Sequence, residues 1–291
     1  MRYVDFKDDT VANEDVVRND PADGLPAPTV GAWAEHKHEL LRLYVQITGA
    51  ARAKYLGGGP GKGGATFIDL YCGAGRAHVK GTDRFIDGSP LVAWTASHRA
   101  GSPFTEIYLA DHHALWLEAA ERRLRDAGAP VFGYAGTALE AATALTGRLN
   151  RFGLHFALID PFDLDLPFEL LSALASFKRM DLLIHVSAME LQRNWNRYSK
   201  AEASPLDRFA PGWRQAVDLN QSDKSARLQF IRHWVSLLGG LGFGSAPRFE
   251  LITGPNNIPL YWMVLVAKHE IATKLWAKAV QFNDPQDGFG F

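Results

Sequence analysis

Short apolar runs alternate with amphipathic helical stretches along most of the chain, and no other feature restricts the fold as much. Parallel strands cannot be joined by a hairpin; each pair needs a crossover, which an intervening helix supplies. Strands are expected at 66–71, 107–110, 131–134, 155–159 and 181–186. The last two are apolar almost throughout, as strands covered on both faces are, whereas Asp69 interrupts the first. Helices are expected at 33–48, 89–100, 114–127, 138–150, 168–177 and 222–238, the first from the spacing of Leu40, Leu41, Tyr44, Val45 and Ile47. Ser89 and Pro90 read as the N-cap and first residue of the second helix, and Gly128 as the stop of the third. Two final strands, 248–253 and 261–268, flank a loop with Gly254, Pro255 and Pro259 and suggest an antiparallel pair at the sheet edge. The expectation is an α/β fold on a mostly parallel seven-stranded sheet with an antiparallel edge strand, and an irregular, aromatic-dotted insertion at about 190–221.

A domain of 291 residues buries about three quarters of the surface its unfolded chain exposes, so its core needs neither metal nor disulfide. The single cysteine, Cys72, cannot form an internal disulfide, and no stretch approaches the roughly 18 uncharged apolar residues of a membrane span. Residues 1–20 carry charges where a secretory signal needs an apolar run, which makes a cytoplasmic location the expectation. With 47% hydrophobic and 22% charged residues, wholesale disorder is ruled out; a net charge of -1 gives no global attraction to nucleic acid. The first thirty residues hold seven acids, from Asp5 to Asp23, and end in a Pro-rich stretch. Residues 1–30 therefore read as an acidic, extended lead-in to a single domain over 31–291. Basic residues exceed acids over 33–100, which suits a phosphate-bearing ligand and equally suits ordinary surface scatter.

Three segments carry candidate chemistry. In Phe67-Ile68-Asp69-Leu70-Tyr71-Cys72-Gly73-Ala74-Gly75, an acid ends a strand and two glycines follow, so bare backbone can approach a nucleotide-like ligand. The third glycine of a dinucleotide turn is missing, which disfavours a nicotinamide oxidoreductase. Asp69 suits a cationic amino-acid end of a ligand; a plain glycine turn after a buried strand explains the same residues. Asp111, just past the second strand, can accept from ribose hydroxyls or cap the next helix. Its separation from the turn requires 76–88 to be an insertion. In Leu158-Ile159-Asp160-Pro161-Phe162-Asp163, Asp160 and the Pro161 carbonyl can hold an exocyclic amine while Phe162 stacks on a flat base. Asp-Pro is also a common strand-to-turn dipeptide. Lys37 and His38 can face the same crevice or solvent, and His112-His113 make no metal site without further ligands. Cys72 reads as a turn residue, not a nucleophile.

Trp33-x-x-x-Lys37-His38-x-x-Leu41-x-x-Tyr44, the Asp69 to Gly75 turn, Gly88-Ser89-Pro90-Leu91 and Ile159-Asp160-Pro161-Phe162 together resemble the three-Cys-motif partner protein family over most of the chain from Trp33 onward. The Lys-His, Gly-Ser-Pro and Asp-Pro elements are also similar to those of bacterial large-subunit rRNA methyltransferases acting on the exocyclic amine of adenine. The resemblance implies a Rossmann-like class I methyltransferase fold and S-adenosylmethionine (SAM) as cofactor. It implies that Asp69, Gly73 and Gly75 cradle the methionine end, that Asp111 takes the ribose, and that Lys37, His38, Tyr71, Ser89, His112 and Thr137 complete the cofactor site. Asp160, Pro161 and Phe162 are then the catalytic set, and the acceptor an amine of a nucleic acid or nucleotide. Phe162 stands directly after Pro161 where the common form is Asp-Pro-Pro-Tyr, which bears on adenine as target more than on cofactor binding. The implied alternative is a non-catalytic protein of this fold that acts with a three-Cys-motif partner; no metal is implied.

Overall fold

A computed structural model describes residues 17–243, 247–254 and 258–283. Short strands β1 (Arg18–Asn19), β2 (Pro26–Ala27) and β3 (Thr29–Val30) precede helices α1 (Trp33–Ile47) and α2 (Gly49–Ala53). Strand β4 (Ala65–Asp69), wholly buried, leads into the glycine turn, a hairpin of β5 (Arg76–Val79) and β6 (Phe85–Asp87), and helix α3 (Ser89–Arg99). Alternation then takes over with β7 (Glu106–Asp111), α4 (Ala114–Asp126), β8 (Val131–Ala135), α5 (Ala138–Leu145), β9 (Leu154–Ile159), α6 (Phe168–Ala175) and β10 (Met180–Val186). Helices α7 (Ala188–Lys200), α8 (Pro205–Phe209), α9 (Trp213–Ala216) and α10 (Asp223–Gly240), strands β11 (Arg248–Thr253) and β12 (Pro259–Ala267), and α11 (Glu270–Asn283) complete the described chain.

Seven strands form one sheet in the order β8-β7-β4-β9-β10-β12-β11. β12 runs antiparallel to both neighbours, and the pairs among β8, β7, β4, β9 and β10 are parallel. The antiparallel strand therefore lies one place in from the edge, and β11 beyond it points the same way as the centre. From β4 the chain moves to β7 and β8 on one side, then returns to β9 and β10 on the other. A parallel sheet opens a crevice at the carboxyl ends where strand order reverses in this way, here between β4 and β9. Side chains alternate across the sheet: Ile68, Ala157 and Leu182 face a layer of α5, α6, α7 and α10, whereas Phe67, Leu158 and Leu183 face α1, α3, α4 and α11.

Several expectations need correction. The segment 190–221 is not irregular: α7 to α9 run through it, and Leu191, Trp195 and Tyr198, spaced at four and three residues, are buried in the core with Trp213. Gly88, not Ser89, is the extended N-cap of α3, which frees the Ser89 hydroxyl for other contacts. Helix α11 was not expected; it buries Ala272, Trp276 and Ala279 along one stripe. The 76–88 segment is an insertion as expected, its hairpin joining β3 in a separate three-stranded sheet. Of the acidic lead-in, residues 1–16 lie outside the described residues, as does Pro255; residues 17–30 pack on the domain, with Asp20 and Ala27 buried. No helix among the described residues is long and apolar enough to cross a membrane.

Candidate active site

Asp69 ends β4 and pairs in register with Leu109 of β7 and Leu158 of β9. Asp111 and Asp160 each stand two residues farther along those strands, so the three acids occupy the carboxyl ends of three adjacent strands. The turn after β4 is shaped by two glycines in the left-handed region, Gly73 (φ 56°) and Gly75 (φ 79°). A Cβ on Gly73 would meet nothing within 4 Å, whereas one on Gly75 would lie 3.1 Å from Ala120 Cα on α4. The first glycine thus fronts open space and the second lets the turn press onto a helix. The Gly73 N–H donates to Asp111 Oδ2 (2.9 Å) and the His113 N–H to Asp111 Oδ1 (2.8 Å). Asp111 therefore steadies the turn and the approach to α4 while each oxygen keeps a lone pair for a further donor.

Two carboxyls, Asp69 buried and Asp160 partly exposed, face the crevice in opposite electrostatic states. Burial raises Asp69 to about 7, against the Ser89 hydroxyl and the Tyr71 N–H directed at it; its Oδ2 has no hydrogen-bond partner. Burial also pushes Asp160 up, but the Lys37 ammonium, ion-paired to Oδ2, reverses this and holds the carboxyl below its usual value. Lys37 on α1 is thus brought to the end of β9, and His38 beside it is half-buried. Burial and then the charge of Lys37 drive His38 down to about 3, and its Nδ1 lacks a partner. His185, at the end of β10, is held down to about 4 chiefly by burial, so the 3.6 Å between its Nδ1 and Asp160 Oδ1 is not an ion pair at neutral pH. Tyr261 packs 4.6 Å from the His185 ring, with the Tyr261 hydroxyl donating to the Trp33 carbonyl (3.0 Å).

Unsatisfied polar atoms mark this rim. Among the described residues seven buried side-chain nitrogens and oxygens lack a partner, and four of them, on His38, Asp69, His113 and His185, belong to the residues just described. Buried polar groups are ordinarily paired, so a cluster of orphans at a crevice suits a polar ligand. Beyond Asp160, Pro161 is buried and Phe162 is 93% exposed, an apolar ring presented to solvent at the mouth. A cavity of about 300 Å³ lies along the same rim at the starts of α7 and β12, lined by Met189, Gln192, Arg193, Ile258 and Pro259.

The remaining expected residues are placed less centrally. Tyr71 is half-buried, its hydroxyl raised by burial and then by Asp165 and Asp163, which sets it beside the loop after Asp160. The His112 side chain is 81% exposed, 3.6 Å from Asp111 Oδ1. Thr137 is exposed and its hydroxyl serves a capping box with Glu140 at the start of α5. Cys72 is buried, and burial lifts its thiol well above the ordinary range. His185 and Tyr261 were missed because they sit in strands that otherwise read as core; a lone histidine at a strand's carboxyl end was the available signal. Among the described residues no group of three His, Cys, Asp or Glu side chains could hold a metal.

The orphaned oxygen of Asp69, the open space over Gly73 and the two-oxygen acceptor at Asp111 suit, respectively, a cationic amino-acid end, a close backbone approach and a ribose, the groups a bound SAM would present. No family model and no curated protein matches the sequence. Among solved structures the chain is similar to a Legionella pneumophila protein described by the family model DUF519, at 11% identity and a TM-score of 0.52 over 86% of this chain and 93% of that one. It is also similar to an O-methyltransferase from Bacillus cereus in complex with SAH (14% identity, 80% of each chain, TM-score 0.44). The O-methyltransferase TomG from Streptomyces achromogenes, in complex with SAM, matches at 14% identity over 80% of each chain with a TM-score of 0.42. At 11% identity the Legionella protein shares the Rossmann-like α/β fold.

Proposed function

We propose that this chain is a SAM-dependent methyltransferase whose acceptor is an exocyclic amine of a nucleic acid or nucleotide. The observation that carries the reading is the clustering of unpartnered buried polar atoms around Asp69, Asp111 and Asp160 at the point where strand order reverses. Asp69, the Gly73 to Gly75 backbone and Asp111 would hold the cofactor, which when bound supplies an electrophilic methyl group on a sulfonium. The chain contributes position, the main source of rate in such an in-line displacement. Asp160 is ionised at neutral pH because Lys37 is paired with it, so it is a poor base and a good acceptor. It orients the amine through an N–H and leaves the nitrogen lone pair directed outward; the amine proton is lost to solvent after transfer. His38 and His185, both neutral, add no competing positive charge beside the nitrogen where charge develops. Phe162 offers a face on which a base can stack, worth about 1–3 kcal/mol.

Incubation with methyl-labelled SAM and, separately, RNA, DNA and free nucleotides tests this. Label is expected on an exocyclic amine of one of them and is expected to fall at least about a hundredfold in Asp160→Ala with cofactor binding retained. Absence of transfer to all three contradicts the amine acceptor.

One observation favours a second reading, a non-catalytic protein acting with a three-Cys-motif partner: the ammonium of Lys37 already occupies the Asp160 carboxylate. Co-purification with that partner that survives Asp160→Ala, without any methyl transfer by the wild type, is the outcome it requires.

A further inference from the structure

The glycine turn is gripped from outside by a segment that sequence alone assigns to a lead-in. Arg123, on the inner face of α4 and 5% exposed, directs its guanidinium to five acceptors. Its Nε and Nη2 donate to the two Asp23 oxygens (2.6 and 2.8 Å), Nη1 to the Pro26 carbonyl (2.9 Å) and to the Ala74 carbonyl in the turn (2.6 Å), and Nη2 also to Leu25 O (3.2 Å). One residue past the turn, Arg76 is ion-paired with Asp20, itself 1% exposed, and with Asp87. Gly75 O accepts from the Gly88 N–H (2.7 Å), and a Cβ on Gly88 would come within 2.9 Å of Gly75. Residues 20–26 thus form a strap that crosses α4 and the turn and is fastened to both by two guanidinium groups.

Fork-shaped, buried and fully satisfied, Arg123 cannot be replaced by a point-charge lysine without leaving acceptors bare. It meets the turn from behind, at the Ala74 carbonyl, and its effect on a ligand passes through that carbonyl to the backbone on either side. We propose that Arg123 and Asp23 are positioning residues that hold the Gly73 to Gly75 turn in the conformation that receives the cofactor, so that the acidic strap sets cofactor affinity. The inference rests on the methyltransferase reading for its ligand, although not for the clamp itself.

The test uses the full-length chain as Asp23→Asn, Arg123→Lys and a control, Arg52→Lys. Arg52 is an equally buried fork, bonded to Ser102 and Val45 and remote from the turn, so it matches the loss of a buried guanidinium network. Two quantities are measured: amide hydrogen exchange at Cys72, Gly73 and Gly88 without ligand, and the Kd for SAM by calorimetric titration. Both clamp variants are expected to exchange about tenfold faster at those amides and to bind SAM about tenfold more weakly, with Arg52→Lys like the wild type in both. Unchanged exchange or unchanged affinity in the clamp variants, or equal losses in the control, overturns the proposal and leaves the methyltransferase reading standing. Faster exchange in a chain whose wild type binds no SAM keeps the clamp and removes the cofactor from it.

Discussion

Asp69 and Asp160 end neighbouring strands and are both withdrawn from water, yet one is held ionised by an ammonium and the other titrates at about 7. The difference lies in Lys37, which reaches Asp160 and leaves Asp69 with an unpartnered oxygen. A ligand carrying an ammonium or sulfonium favours the ionised form of Asp69, so binding releases a proton and strengthens as pH rises toward its pKa. SAM affinity is expected to climb roughly tenfold between pH 5.5 and 7.5, below the range where the ligand's own amine titrates, and to be weaker and flat in Asp69→Asn. Titration calorimetry across that range checks the slope, and a wild-type affinity that is flat or falls over it contradicts the account. Both acids were legible in the sequence because a carboxylate in an apolar run is conspicuous. Lys37 could be suspected from its place in a motif, but its pairing with a residue 123 positions away could not be read there. Asp111 was legible as a strand-end acid, while its role in holding the Gly73 N–H depends on a register that only the assembled sheet supplies.

Among the elements, α11 and α7 show how helices escape a reading centred on strands. α11 follows an edge-side strand and carries its buried residues at 272, 276 and 279, a stripe that looks sparse in a stretch also holding Lys274 and Lys278. Trp276 is nonetheless 2% exposed, its ring edge-on to Tyr44 at 5.8 Å, so α11 closes the same face of the sheet as α1. Trp276→Ala is expected to cost about 3–5 kcal/mol of unfolding free energy, read from the urea midpoint; a loss below about 1 kcal/mol would show that α11 does not seal that layer. In α7 the alternation of cations with Trp195 and Tyr198 resembles a solvated aromatic surface in one dimension, but helical periodicity sends the aromatics inward. The parallel strands were the most legible elements, since burial on both faces leaves near-continuous apolar runs.

For the whole molecule, the order of the strands does what no single motif does. Moving from β4 outward to β8 and then back across to β9 leaves two adjacent carboxyl ends whose following loops diverge; Asp69 and Asp160 stand at that gap and Asp111 ends the next strand, β7. The alternation of strands and helices was visible from the outset; the direction of β12, flanked on both sides by strands running the other way, emerged only with the pairing. Around the gap the protein keeps buried polar atoms without protein partners, a cost that a polar ligand can offset. The central claim is that this gap is the seat of an adenosyl cofactor beside an amine acceptor. A crystal structure of the protein grown with S-adenosylhomocysteine tests it most directly. The account predicts the ribose hydroxyls on Asp111, the amino-acid end over Gly73 beside Asp69, and the sulfur facing Asp160; ligand density elsewhere on the molecule, or none at saturating concentration, contradicts it.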